Sequence, residues 1–253
     1  MYIYIIITLL IGAAVGSFLN VIIYRADELK SVIRSRSKCR SCNNVLKWYD
    51  LIPILSFILL RGKCRNCKER ISMQYPIVEG STALLFLIIF LNYGISWQSV
   101  FYALIFSLFV VIFVHDLRTQ LIADIFSWPV LAFSLALGWY FAGASATDLV
   151  YGLLTGAGVL ILLVIISREE WMGMGDVIIG AAFGALLCYP RSVLFLFLSF
   201  VIGSLAGLVL IAFKKKGIKD AVPFAPFMII AGFISLIWGN QIVDWYLGAM
   251  FMY

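Results

Sequence analysis

Charge is scarce in this chain. Only 13% of its 253 residues are Asp, Glu, Lys or Arg, about half the share that soluble globular domains carry. Histidine occurs once, at His115, so no site built from several histidines is available. These shortages exclude a soluble enzyme, a disordered chain and a secreted disulfide miniprotein. Apolar residues are abundant: 63% of the chain is hydrophobic and the mean hydropathy is +1.04. The 20 Phe, 12 Tyr, 7 Trp and 20 Gly fit a helical protein with several membrane spans. Glycine lets such helices approach closely, and aromatic rings favour the interface.

The little charge present is unevenly placed. Residues 25–76 hold 12 of the 19 basic residues and four of the 13 acids, a surplus of eight within a chain of net charge +6. One basic insert in an apolar chain is the positive-inside pattern of membrane proteins. It is not read as a nucleic-acid footprint, and no nucleic-acid partner is expected.

A helix that crosses the bilayer needs about 17–25 mostly apolar residues. Eight stretches qualify as candidates: 2–24, 76–91, 95–114, 125–141, 149–167, 177–189, 192–213 and 221–238. The sixth has only 13 residues, and the tail 239–253 is amphipathic. The first stretch lacks the positive n-region and small-residue cleavage site of a signal peptide. Arg25 follows it, which places the N-terminus outside. Alternation then puts 18 of the 19 basic residues in inner loops at 25–76, 115–124, 168–176 and 214–220, and leaves only Arg191 outside. The expected fold is an all-α polytopic membrane protein of about eight transmembrane helices, N-terminus outside, with a small cytoplasmic domain between helices 1 and 2. Within that domain, the apolar run 51–60 is too short to span and is broken by Pro53. It predicts an interfacial helix or the core of the small domain.

Cys39-Arg40-Ser41-Cys42 and Cys64-Arg65-Asn66-Cys67 form two C-x2-C knuckles. Each knuckle can present two thiolates to one metal from a tight turn, and two knuckles close a tetrahedral S4 site that suits Zn2+. Such a zinc would staple a loop that has little core of its own. The competing readings are disulfides, disfavoured in a reducing cytoplasm, and redox chemistry, which expects a βαβ setting. Four cysteine ligands leave no open position for a catalytic zinc. Cys188 reads as a small apolar residue of the sixth span.

Nine acids lie outside the basic loop, and two of them stand out. Asp116 follows the apolar run of the third span in Val114-His115-Asp116-Leu117-Arg118, and Asp176 opens the sixth in Gly173-Met174-Gly175-Asp176. Both are expected at the inner membrane face, where a carboxylate is costly unless it is hydrated, paired or used. Brought together, two carboxylates share one proton, the arrangement for aspartyl proteolysis. Gly173 and Gly175 remove side-chain bulk before Asp176, which leaves room for an extended peptide. The alternative is that Asp176 N-caps its helix and the glycines form the turn. Glu79, just inside the second span, faces either a polar cavity or the headgroups. His115 is read as structural, and Lys214–Lys216 as an anchor at anionic lipid.

At this point the chain resembles the type IV prepilin peptidases, bacterial membrane aspartyl proteases of the GxGD class. The resemblance runs over nearly the whole chain. It rests on Gly16-Ser17-Phe18-Leu19-Asn20-Val21 with Tyr24-Arg25, then Ser35-Arg36-Ser37 before Cys39 and Cys42, and Trp48-Tyr49-Asp50 with Ile52-Pro53. It continues through Leu60-Arg61-Gly62-Lys63-Cys64-Arg65 with Cys67, Ile71-Ser72, Tyr75-Pro76 with Glu79, Asp116, and Gly173 with Gly175-Asp176. The resemblance implies cleavage of the basic leader of prepilins or pseudopilins after a Gly at the cytoplasmic face of the bacterial cytoplasmic membrane. It implies N-methylation of the new N-terminus, usually Phe, with S-adenosylmethionine. Asp116 and Asp176 take the catalytic positions, and Glu79, Gly173 and Gly175 are candidate substrate contacts. The family's D-x5-[IL]-P-[DN] pattern has Ala123 in place of its Pro here, which keeps Asp124 as a rival to Asp116. The implied domains are a first transmembrane helix (1–24), a cytoplasmic zinc-binding domain (25–76) and a transmembrane protease domain (77–253). The substrate could serve pili, DNA uptake or type II secretion.

Three other readings compete. A transporter would use boundary acids as proton sites but should show inverted repeats. A zinc-bearing assembly protein would need no acid pair. A presenilin-like GxGD protease would not carry the cysteine loop.

Overall fold

The computed structural model describes residues 2–26, 36–141, 145–213 and 222–251. Asp27, Glu28, Lys30, Arg34 and Ser35, and the second basic cluster of Lys214, Lys215, Lys216 and Lys219 with Asp220, lie outside the described residues. The described residues are helical apart from loops and two isolated bridges. The helices are α1 (Tyr2–Tyr24), α2 (Leu55–Leu59), α3 (Gln74–Tyr93), α4 (Trp97–Thr119), α5 (Asp124–Phe141), α6 (Ala146–Ser167), α7 (Met174–Leu187), α8 (Arg191–Ala212) and α9 (Ala225–Phe251). Seven of them are long and apolar enough to cross a membrane; α2 and α7 are not.

The sixth expected span is therefore α7. Its 14 residues rise about 21 Å, short of a hydrocarbon core of about 30 Å. Its length is tolerable because its surroundings are protein: α5, α6, α8 and α9 all pack on it, and nine of its residues are buried. Small residues make that possible. Gly152 and Gly156 of α6 face Gly180 and Gly184 of α7, and a Cβ on any of the four would collide with backbone of the opposite helix. This is close backbone approach through small residues four apart on both helices.

The tail that read as amphipathic continues the last helix, so α9 runs unbroken to Phe251 over 27 residues. The same helix begins later than expected, because Pro223 and Pro226 resist an earlier start. Arg191, the single basic residue expected outside, has a local role. Its Nε donates to the Leu187 carbonyl at 3.0 Å, where α7 ends and its dipole is negative.

The chain divides into two compact units, residues 1–111 and 112–253. In the first, α1 packs along α3. Buried Asn20 joins them, donating to the carbonyls of Gly16 and Tyr75 at 3.3 Å each and accepting from Gln74 at 3.3 Å. The apolar run 51–60 forms a 3-10 turn (Trp48–Leu51) and α2. Leu51, Ile52, Leu55, Ile58 and Leu59 are all exposed, the pattern of an element laid against an interface rather than of a core. The second unit comprises the end of α4 and helices α5–α9, with α7 at its centre.

Candidate active site

The second unit gathers the acid pair. Helix α4 ends at Thr119, and Gln120 turns the chain with a left-handed φ of 56°. His115 fastens this turn: its Nδ1 lies 2.9 Å from the Leu121 carbonyl and 3.1 Å from the Thr119 hydroxyl. The sole histidine is thus a buried structural clamp beside Asp116. Asp116 is 4% exposed, and its Oδ2 has no hydrogen-bond partner. The backbone amide of Ala225, at the start of α9, faces the same carboxylate.

Asp176 arrives from the first turn of α7, where the N-terminal dipole favours negative charge. The N-cap position belongs to Gly173, so Asp176 is not the cap; the Gly173 amide faces its carboxylate. Sixty residues apart in the chain, Asp116 and Asp176 lie within reach of each other's charge. The two glycines before Asp176 do different work. A Cβ on Gly173 would meet nothing but the Gly175 nitrogen at 4.0 Å, so the space beside it is open. A Cβ on Gly175 would stand 2.8 Å from the Ile122 Cβ. Gly175 therefore makes room for the turn that follows Asp116.

The other acids have ordinary roles. Asp124 is exposed at the start of α5. Asp148 closes a capping box with Ser145 at the start of α6. Glu169, Glu170 and Asp244 are exposed. The Ala225 amide was not legible as part of the site, although the Pro223–Pro226 pair signalled an irregular backbone there; Ile122 was visible only as the [IL] position of the pattern that opens at Asp116.

The first unit holds the remaining candidates. The Sγ atoms of Cys39, Cys42, Cys64 and Cys67 lie within 4.8 Å of one another, and Cys39 and Cys67 are 3.8 Å apart. A tetrahedron with Zn–S bonds of about 2.3 Å has S···S edges of about 3.8 Å, so the nest fits that ion. The two knuckles are built alike. The first Cys of each donates its amide five residues on, Cys39 to Asn44 at 2.9 Å and Cys64 to Glu69 at 2.8 Å. The fourth residue after each is left-handed, Asn43 at φ 53° and Lys68 at φ 61°. Asp50 ties the 3-10 turn to the second knuckle by an ion pair with Arg65 at 2.9 Å. The thiols are electrostatically unequal. The Asn44 amide lowers the Cys42 thiol. At Cys67 the Glu69 amide favours the thiolate, but desolvation and the other three thiols outweigh it and push the group to about 12. If all four were ionised, thiolates this close would repel one another unless a cation lay among them. Cys188 is buried at the end of α7, its thiol 3.4 Å from the Ala185 carbonyl. Glu79 is 6% exposed and belongs with the nest, not with the aspartates, in the division of the chain.

Comparison with known proteins agrees with this arrangement. Residues 10–93 match the family model "Bacterial Peptidase A24 N-terminal domain", and residues 103–208 match "Type IV leader peptidase family". A prepilin leader peptidase/N-methyltransferase of Aeromonas salmonicida (strain A449) is 30% identical over 278 residues, covering 98% of this chain and 96% of that protein. One of Bacillus subtilis (strain 168) is 33% identical over 248 residues, covering 95% and 97%. One of Pseudomonas aeruginosa is 28% identical over 271 residues, covering 96% and 93%. No solved structure matches the chain. A cysteine nest in the N-terminal match, an acid pair reaching from Asp116 to Asp176 in the C-terminal one, and relatives aligned almost end to end place the chain in the type IV leader peptidase family.

Proposed function

We propose that the protein cuts the basic leader from prepilins or pseudopilins at the cytoplasmic face of the bacterial cytoplasmic membrane, and then methylates the new N-terminus with S-adenosylmethionine. The observation that supports the proteolytic reading is that Asp116 and Asp176, at helix ends of one unit, lie within reach of each other's charge. One carboxylate draws a proton from the attacking water while the other gives a proton to the scissile carbonyl oxygen, and the roles reverse as the amine leaves. The His115 clamp closes the turn that follows Asp116 and the Ala225 amide faces its carboxylate, so the acid on α4 is positioned before substrate arrives. The open space beside Gly173 gives the substrate backbone a path to the pair.

Cys39, Cys42, Cys64 and Cys67 would hold one Zn2+ as a structural staple, closing the loop between α1 and α3. The methylation reading rests on the names of the relatives, with S-adenosylmethionine as the methyl donor. Incubating the purified protein with a prepilin, with and without S-adenosylmethionine, tests both activities. Mass spectrometry reads leader loss and an added methyl separately. A protein that leaves the leader intact defeats the proteolytic reading.

A further inference from the structure

A second site lies in the first unit, at the ends of two long apolar helices. Helix α1 ends at Tyr24 and α3 begins at Gln74, and both are long and apolar enough to cross a membrane. A cavity of about 840 Å³ opens at that boundary, between the two helix ends and the two knuckles, a volume within the range of small-molecule sites. Its wall is basic: seven Lys and Arg stand against three acids, Asp50, Glu69 and Glu79. All three acids are engaged. Asp50 pairs with Arg65 at 2.9 Å, Glu69 accepts from the Arg70 amide at 3.2 Å, and Glu79 accepts from the Ile54 amide at 2.7 Å. Among the described residues, no carboxylate pairs with Arg36, Lys38, Arg40, Lys47 or Arg70. A cleft lined by one sign of charge focuses its field and gathers ions of the other sign.

Arg40 is the member best placed to grip an anion. Its guanidinium lies 3.7 Å from the centre of the Tyr24 ring, and Tyr24 stacks on Tyr75 with ring centres 5.2 Å apart. The ladder ties the first knuckle to α1 and α3. Stacking holds the guanidinium by its face and leaves its N–H edge to bond, and that planar fork matches the oxygens of a phosphate. Helix α2 says where the phosphate comes from. Its Ser56 and Phe57, with Leu60 just beyond, line the cavity, whereas Leu55, Ile58 and Leu59 are exposed. An apolar side turned outward beside a cationic cavity is the pattern of an element lying in the headgroup layer of an anionic leaflet.

We infer that this cavity binds the phosphate headgroup of an anionic phospholipid, with Arg40 as its anchor and the acyl chains along the exposed side of α2. The bound lipid ties the cysteine-bearing loop to the leaflet without a covalent link. Lys38 and Arg70, one from each knuckle, add charge around the headgroup. A soluble phosphate compound offers the same headgroup chemistry but leaves the apolar side of α2 uncovered, so the lipid is the occupant that satisfies both features.

The test uses the full-length protein in detergent, phosphatidylglycerol and phosphatidylcholine of identical acyl chains, and native mass spectrometry to count the lipid retained. The native protein is expected to hold one phosphatidylglycerol at least ~10-fold more strongly than phosphatidylcholine. An excess of soluble glycerol 1-phosphate, which has the phosphate but no acyl chains, should not displace it. Each cation near an anionic lipid contributes roughly fivefold, so Lys38→Gln with Arg70→Gln should weaken retention about 25-fold. Lys63→Gln with Lys68→Gln removes the same charge outside the cavity wall and should stay within about twofold of the native protein. Arg40→Lys keeps the charge and loses the stacked fork, and it too should hold the lipid less well. Metal content equal to the native protein's shows that each variant is folded. Equal retention of the two lipids by the native protein, displacement by glycerol 1-phosphate, equal losses in the two double variants, or undiminished retention by Arg40→Lys overturns the inference.

Discussion

Ile122 occupies the place where a side chain on Gly175 would be. The Cβ that Gly175 lacks would come 2.8 Å from the Ile122 Cβ and 3.1 Å from its Cδ1. The contact seats the first turn of α7, which carries Asp176, against the turn that follows α4, whose last helical residues include Asp116. Gly175→Ala should therefore push the two carboxylates apart. A displacement near 1 Å in a catalytic pair costs on the order of 10²-fold in rate, and cleavage should fall by at least about tenfold while the protein still reaches the membrane. Gly173→Ala meets no neighbour and should interfere only through the substrate, raising KM more than it lowers kcat. Steady-state kinetics of both variants on one prepilin checks the contrast.

Loss of either carboxylate should be far more severe. Asp116→Asn and Asp176→Asn each keep the shape and remove a proton-transfer group, so each is expected to cut cleavage by at least ~10³-fold without reducing membrane accumulation. Asp124→Asn, an exposed residue at a helix start, should cleave within a few-fold of wild type. Full cleavage by Asp116→Asn together with a dead Asp124→Asn would transfer the role to Asp124.

The thiol nest predicts a metal and its pH dependence. Zinc binds thiolates, so protons compete with it, and the competition is sharpest at Cys67, whose thiol is raised to about 12. Lowering the pH should release metal and raising it should tighten the site, read with a chromogenic chelator on the purified protein. Cys67→Ser should lose metal and lower the unfolding temperature. Zinc content equal to wild type in that variant would refute the S4 assignment.

The α6–α7 interface predicts position-specific sensitivity to one methyl group. Gly180→Ala or Gly184→Ala drives a Cβ into backbone of the facing helix, an overpacking that costs about 1–3 kcal/mol. Gly158→Ala, on the same α6 but with nothing within 4 Å of the new carbon, should be neutral or slightly stabilising. Thermal unfolding in detergent separates the two groups; equal midpoints would contradict the close approach.

Several features follow from the order of residues alone. Two C-x2-C knuckles need only short-range geometry to aim four thiols, so Cys39, Cys42, Cys64 and Cys67 announce their site locally. Long apolar runs become helices whatever their neighbours, because lipid offers backbone groups no partners, and seven of the expected spans are such helices. The tertiary structure decided what depends on neighbours. Helix α7 reads as a truncated span until four helices are seen to bury it. Gly175 reads as a gap for substrate until Ile122 is found in it. Asp116 and Asp176 are two boundary acids among several until the folding of one unit brings them within reach of each other's charge, since local sequence carries no information about which distant helix ends will be neighbours.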